Sequence, residues 1–554
     1  MRPGAGRVCY PVGFMAKRKA PAPRAPQPRR RFPEWLPHVA ALAALAVAVY
    51  ANSVGNGFIG DDKIQLLKNP LVTDAANIPR LLGSGVWSIL GVHGNYYRPL
   101  QFIVYLLLYQ CAGFNAAAFH LFMVLLHAAN TVLLYFLVRR FTPPSATLAA
   151  AALFAVHPIH TETVDWIAAL PDLMVTTLVL AGVLWLARQD GAPRGLQVLG
   201  HCGLYLLALL TKETGVMLLP LYAGFGFFCL GRGWDELRRN ANLHAAMAAT
   251  LALYLAARIA ALGGLAPGQQ TFFHLGAAAF ALSAVTLAAQ YLGALLLPVH
   301  LNYFHVFHPT TGPTVGLLVS AVALAAVATA FVRLRKAPVS YGIFWIAVCL
   351  APALNVTGVG QNVFAERYLY LPSAGFCWIA GWAWYWLASR PRGRSRGWFV
   401  AAGGGVLLAC AAGAVARNRD WRDDYTLLQV TLAQSPASGW LHNSMAGVYI
   451  ERNEFEKALE EERLAVKHEP GAPVYRKNLG NILLGKDPRA AIAEFQQLVA
   501  LQPTLAQNHC DLALAYEAAG DTTQASAEYA KALELAPQLR EAREGYARVT
   551  ARPR

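Results

Sequence analysis

Apolar residues in this chain come in runs about as long as a bilayer is thick, separated by short polar loops, and that spacing constrains the fold more than any other feature. The first run, Leu36 to Val54, approaches the roughly 20 residues that a helix needs to cross a hydrocarbon core. Others follow at Pro99 to Ala112, Ala116 to Leu137, Ala146 to Val156, Leu173 to Leu186, Leu196 to Leu210 and Gly215 to Leu230. The series continues with Leu243 to Leu262, Leu275 to Leu297, Val315 to Val332, Tyr341 to Val356, Leu371 to Leu387 and Phe399 to Val415. With 56% apolar and 14% charged residues, the chain is too apolar for an ordinary soluble protein. The expected fold is all-α, a polytopic transmembrane helix bundle over residues 36–416, held in the membrane by a retained first span.

A formal charge of +16 would suit a nucleic-acid partner, but the cations fall in places that explain them otherwise. Nine Lys or Arg lie in the Pro- and Ala-rich arm Met1 to Pro33, and more in the loops Arg188 to Arg194, Arg232 to Arg239, Arg333 to Lys336 and Arg390 to Arg396. This is the positive-inside pattern, so no nucleic acid is expected. The arm (1–35) cannot bury a core and is expected to be disordered and cytoplasmic. Keeping the basic loops on one side makes Pro99 to Ala112 an interfacial or re-entrant helix. It gives about eleven crossings, with the N-terminus inside and the C-terminus outside. The eight cysteines are scattered without a CxxC pair, which supports neither a disulfide framework nor a zinc site.

After a linker (417–434) the composition turns soluble, Ala-rich and charged. Pro470, Pro503 and Pro537 are spaced 33 and 34 residues apart, with Ala and aromatic residues at recurring offsets between them. That is the period of tetratricopeptide repeats. Residues 435–554 are expected to form three of them, with Arg540 to Val549 as a capping helix.

Four polar motifs sit at the outer ends of apolar runs. They are Asp61-Asp62 in the first outer loop (55–97), His157-Pro158-Ile159-His160-Thr161-Glu162, Thr211-Lys212-Glu213, and Ala365-Glu366-Arg367-Tyr368-Leu369-Tyr370. Ionisable groups are expensive at membrane depth, so a shared polar cavity is the natural reading, joined by Arg98 of Tyr96-Tyr97-Arg98-Pro99. Each motif also has a plainer reading. Asp61-Asp62 would serve as a solvated turn, Lys212 as a snorkelling cation and Arg367 as an interfacial anchor. Pro158 spoils His157 and His160 as a metal pair, and no metal site is assigned. Lys212 and Glu213, being sequence neighbours, point apart on a helix. His120 and His127 read as helix-packing residues, and His300, His305 and His308 as an outer-face cluster that contacts substrate.

Taken in order, Gly57-Phe58…Asp61-Asp62…Asn69-Pro70, Tyr97-Arg98-Pro99-Leu100, Phe119-His120…His127…Asn130, Ala155 to Glu162, Lys212-Glu213 and Glu366 to Pro372, followed by the repeats, the chain resembles the TMTC family. These are multi-pass GT-C glycosyltransferases related to protein O-mannosyltransferases. The resemblance implies a GT-C-type bundle and a polyprenyl-phosphate-linked sugar donor, with mannose the expected sugar and the Ser/Thr hydroxyls of a protein or peptide as acceptor. It implies Asp61 or Asp62 as general base, without choosing between them, and Arg367, Lys212 and Arg98 as cations for the departing lipid phosphate. Glu162, His157, His160 and Tyr368 would contact sugar or acceptor, while Glu213 and Glu366 orient Lys212 and Arg367. One base and a good leaving group imply a single, inverting displacement; a divalent metal requirement stays open. The Ala-rich composition points to a bacterial inner membrane with periplasmic repeats, which would bind the acceptor or a partner protein. Three repeats are fewer than in the animal members. Rival readings are a non-catalytic membrane scaffold, a lipid-linked-sugar flippase, and a GT-C enzyme acting on a glycan or lipid.

Overall fold

The computed structural model describes residues 33–91, 94–265, 273–358, 360, 362–390 and 394–551; nearly all of the basic arm lies outside them. Helix α1 (Trp35–Tyr50) continues as a tight turn to Gly55, and α2 (Ile78–Leu82) is a short piece of the loop that follows. Next come α3 (Pro99–Ala112), α4 (Ala116–Val138), α5 (Pro144–Val156), the single-turn α6 (Thr161–Asp165), α7 (Leu170–Ala187) and α8 (Leu196–Thr211). They are followed by α9 (Leu218–Phe228), α10 (Gly233–Arg239), α11 (Ala241–Leu262), α12 (Ala277–Leu296) and α13 (Val315–Leu334). The membrane part ends with α14 (Val339–Leu350), α15 (Tyr370–Ser389) and α16 (Arg394–Arg417).

Every apolar run anticipated from the sequence forms a helix. Among the described residues, seven helical stretches are long and apolar enough to cross a membrane, and five shorter apolar helices accompany them, so the chain is an integral membrane protein. α1, α4, α5, α7 and α15 pack together around one continuous core that includes Phe154, Leu173 and Trp378. By contrast α13 buries none of its residues, leaving a greasy surface of Val, Leu and Ala that suits lipid.

Small residues set the closest crossings. A Cβ on Gly375 of α15 would lie 2.5 Å from the Gly342 carbonyl oxygen of α14, and one on Gly381 would lie 2.5 Å from the Ala146 carbonyl oxygen of α5. Such backbone approach is how helices gain packing energy where no water drives them together.

Beyond the membrane part, α17 (Asp424–Gln434) links to three helix pairs. These are α18 (Gly439–Glu451) with α19 (Phe455–His468), α20 (Pro473–Leu484) with α21 (Pro488–Leu501), and α22 (Ala506–Ala518) with α23 (Thr522–Leu535), closed by α24 (Arg540–Thr550). A clamp recurs at the start of each unit. The carbonyls of Pro436, Pro470, Pro503 and Pro537 accept from the side chains of His442, Arg476, His509 and Arg543. In the three full repeats the same side chain also holds Glu461, Glu494 or Glu528 on the second helix. The repeats are seated on the membrane part by an aromatic seam, in which Trp440 stacks on Phe304 at 4.9 Å and Trp421 meets Tyr303.

Replacing Gly381 by Val is expected to cost about 1–3 kcal/mol through overpacking against α5, read as a lower unfolding temperature in detergent. Gly404→Ala, whose added Cβ meets nothing within 4 Å, should leave that temperature unchanged or raise it.

Candidate active site

The two adjacent aspartates of the first loop have different environments. Asp62 is fully buried, and both its oxygens are taken: the Ile59 N–H donates to Oδ2 at 3.1 Å and the Ala168 N–H to Oδ1 at 2.7 Å. It is therefore a tie between the loop and the start of α7. Asp61 is half-buried and has no hydrogen-bond or ion-pair partner among the described residues. Burial raises its pKa above the usual carboxylate range, and the nearby Arg367 guanidinium pulls it back down.

The loop owes this split to Gly60, whose φ of +50° lies in the left-handed region that glycine enters cheaply. The Gly60 N–H donates to Asp424 Oδ1 at 2.7 Å, and Lys63 reaches Asp424 Oδ2 at 2.7 Å and Glu451 at 2.8 Å. The loop is thus pinned by the linker helix α17 and by α18 of the first repeat.

Arg367 ion-pairs with Glu162 through its guanidinium, and its backbone N–H donates to the same carboxylate at 2.9 Å. Its guanidinium lies 5.2 Å from the centre of the Trp166 ring and 4.9 Å from that of Tyr368. The Tyr368 ring also receives the Lys212 ammonium at 5.5 Å, so one tyrosine separates two cations.

Beyond it lies a cavity of 190 Å³ lined by Tyr96, Arg98, Asp172, Lys212, Glu213 and Arg258, among others. Its three cations face two carboxylates. Lys212 pairs with Asp172 at 2.5 Å, and Glu213 takes Arg98 at 2.9 Å and Arg258 at 3.5 Å. This balance leaves one positive charge in excess, an arrangement suited to an anion.

The structure therefore brings Asp61, Arg98, Glu162, Lys212, Glu213, Arg367 and Tyr368 into one connected region, but with pairings other than those expected. Glu213 orients Arg98, not Lys212, because the chain enters a tight turn at Glu213–Met217 that points the two neighbours apart. Glu366 orients Arg417 at 2.8 Å, not Arg367, and accepts from the Asn302 N–H. Glu162 is committed to Arg367. His157 and His160 also depart from expectation, since Pro158 starts a buried turn that keeps both imidazoles inside. His157 donates from Nε2 to the Leu295 carbonyl at 3.0 Å, and His160 meets Ser373 Oγ at 2.7 Å. His120 and His127 pack between helices, on the Gly57 carbonyl and on Tyr370 and the Ala155 carbonyl. His300, His305 and His308 line a separate cavity of 350 Å³.

Sequence reasoning missed Asp172, Arg258 and Arg417. All three were readable as isolated charges inside or at the edge of apolar runs, which is the costly placement that marks a paired group. Among the described residues no three His, Cys, Asp or Glu converge in a group that could hold a metal ion.

Truncating Asp172 to Ala would strand the Lys212 ammonium, whose side chain is 6% exposed. The expected loss is about 3–5 kcal/mol, visible as reduced yield and unfolding temperature. The double replacement Lys212→Met with Asp172→Leu should recover most of it.

No protein-family model matches the chain. Among solved structures, ArnT from Cupriavidus metallidurans bound to undecaprenyl phosphate aligns over 85% of this chain and 80% of its own, at 16% identity and a TM-score of 0.40. Protein O-mannosyl-transferase Tmtc1 of Drosophila melanogaster is 35% identical over 188 residues, 33% of this chain and 22% of that protein. Protein O-mannosyl-transferase TMTC3 of Mus musculus is 26% identical over 467 residues. That match takes in 76% of this chain but spans only 50% of the mouse protein. Along about three quarters of its length, the chain is similar to animal proteins named as TMTC protein O-mannosyl-transferases, and it spans about half the length of the first of them.

Proposed function

We propose that the chain is a GT-C-type membrane glycosyltransferase that moves a sugar, mannose by analogy with its named relatives, from a polyprenyl-phosphate donor to Ser or Thr hydroxyls of a protein on the outer face. The observation that carries this reading is the contrast at the first loop. Asp61 is a carboxylate without a hydrogen-bond partner, beside Arg367, while its neighbour Asp62 is fully engaged in holding the backbone.

In the reaction so assigned, the acceptor oxygen attacks the anomeric carbon as Asp61 takes the hydroxyl proton. The bond from that carbon to the phosphate oxygen breaks, and the electron pair leaves on the lipid phosphate. Arg367 on one side of Tyr368, and Lys212 with Arg98 and Arg258 on the other, supply fixed positive charge where the phosphate gains negative charge. Because the cavity's carboxylates already anchor these cations, little reorganisation is needed at that moment. Attack from the face opposite the phosphate inverts the sugar centre.

The test is transfer of labelled sugar from polyprenyl-phosphate-mannose to protein acceptors by the purified chain in lipid. Asp61→Asn is expected to fold normally and lose about 10²–10⁴-fold in rate. Asp62→Asn, whose amide would face a backbone N–H, should lose activity only in step with the amount of folded protein. The base must be ionised and burial raises its pKa. The rate should therefore fall as the pH drops through a value above the usual carboxylate range, and stay level above it until another group titrates. Undiminished transfer by Asp61→Asn would overturn the assignment.

A further inference from the structure

A third cavity, of 780 Å³, lies between the first two repeats, within the size range of ligand sites. Asn443, Ser444 and Ile450 of α18, Glu462 of α19, and Asn478 and Asn481 of α20 are among its lining residues. Glu462 is only 1% exposed and its Oε1 has no hydrogen-bond partner among the described residues. A buried acceptor left unpaired is costly, and this one borders a cavity.

The groove offers amide donors and acceptors together. The Asn478 amide donates to Asn443 Oδ1 at 2.7 Å, while Asn481 is exposed and makes no such bond. Alternating N–H and C=O groups of extended backbone need that mixture of partners. A phosphorylated ligand would instead need free cations. Lys486, also on the lining, is held by Glu456 at 2.5 Å.

The groove's position matters as much as its chemistry. Ile450, at its edge, is followed by Glu451, which Lys63 grips at 2.8 Å, and Lys63 stands two residues after Asp61. The groove is therefore fastened directly to the loop that presents the proposed base.

Building on the transferase reading above, we propose that this groove holds an extended segment of the acceptor polypeptide. Its Asn side chains bind backbone, Glu462 accepts a hydrogen bond from a Ser or Thr hydroxyl, and the Lys63–Glu451 contact sets the segment beside Asp61. Hydroxyl-rich stretches are thereby selected before any hydroxyl reaches the reacting centre.

The test uses the full chain in lipid nanodiscs and a fluorescein-labelled peptide of repeating Ala-Thr-Gly-Ser, with fluorescence anisotropy reporting binding. Glu462→Leu and Asn481→Ala are each expected to weaken binding about tenfold. Asn481 is exposed, so its replacement tests the groove without threatening the fold. In transfer assays the same variants should raise KM for the repeating peptide and leave kcat unchanged. A peptide that binds wild type and both variants equally, or does not bind wild type at all, overturns the proposal. Binding that the variants weaken supports the groove even where wild type transfers no sugar, a result that would count against the role of Asp61 instead.

Discussion

The need to neutralise charge where water is scarce governs the polar end of this protein's membrane helices. Glu162 has no exposed surface, and such a carboxylate survives in ionised form only when a cation and further donors replace its water. Arg367 supplies both, through its guanidinium and its own backbone N–H. Meeting this requirement joins α6 to the turn that opens α15. The same requirement, met by Lys212 with Asp172, by Arg98 and Arg258 with Glu213, and by Arg417 with Glu366, fixes how the membrane helices stand relative to one another at this face. The proposed chemistry uses the positive charge that this balance leaves over.

What was legible in the sequence follows from whether a signal is local. Runs of apolar residues announce helices because each helix satisfies its own backbone, and every such run is helical here. The 33–34-residue spacing announced the repeats, and α24 follows the last of them as expected. The repeat signal was stronger than the three prolines suggested. Pro436 begins the series, and a His or Arg six residues after each proline closes the same clamp. The polar motifs, four of them at helix ends, pointed to a common polar region, and the structure brings Asp61, Arg98, Glu162, Lys212, Glu213, Arg367 and Tyr368 into one.

Pair identities were not legible, because they depend on which helices meet. Glu213 follows Lys212 in sequence, yet the tight turn between them sends one to Asp172 and the other to Arg98. Arg258 lay hidden in an apolar run, and Arg417 stood at the start of the linker. The choice between Asp61 and Asp62 rests on a left-handed Gly60 and on two backbone N–H groups, one of them from Ala168, over a hundred residues away. No composition or period encodes that. His157 and His160 looked functional because of their company, whereas the turn begun by Pro158 folds both inward.

The hydrogen bond from Gly60 to Asp424 joins positions 364 residues apart, and the Arg417 contact to Glu366 likewise awaits the last membrane helix. A growing chain emerges from its N-terminus onward, so the first loop can be tied to Ala168 through Asp62 well before its Asp424 brace is made. Its final shape arrives only when the segment behind the last span is delivered to the same side of the bilayer. The loop that carries Asp61 is thus made well before the residue that pins it.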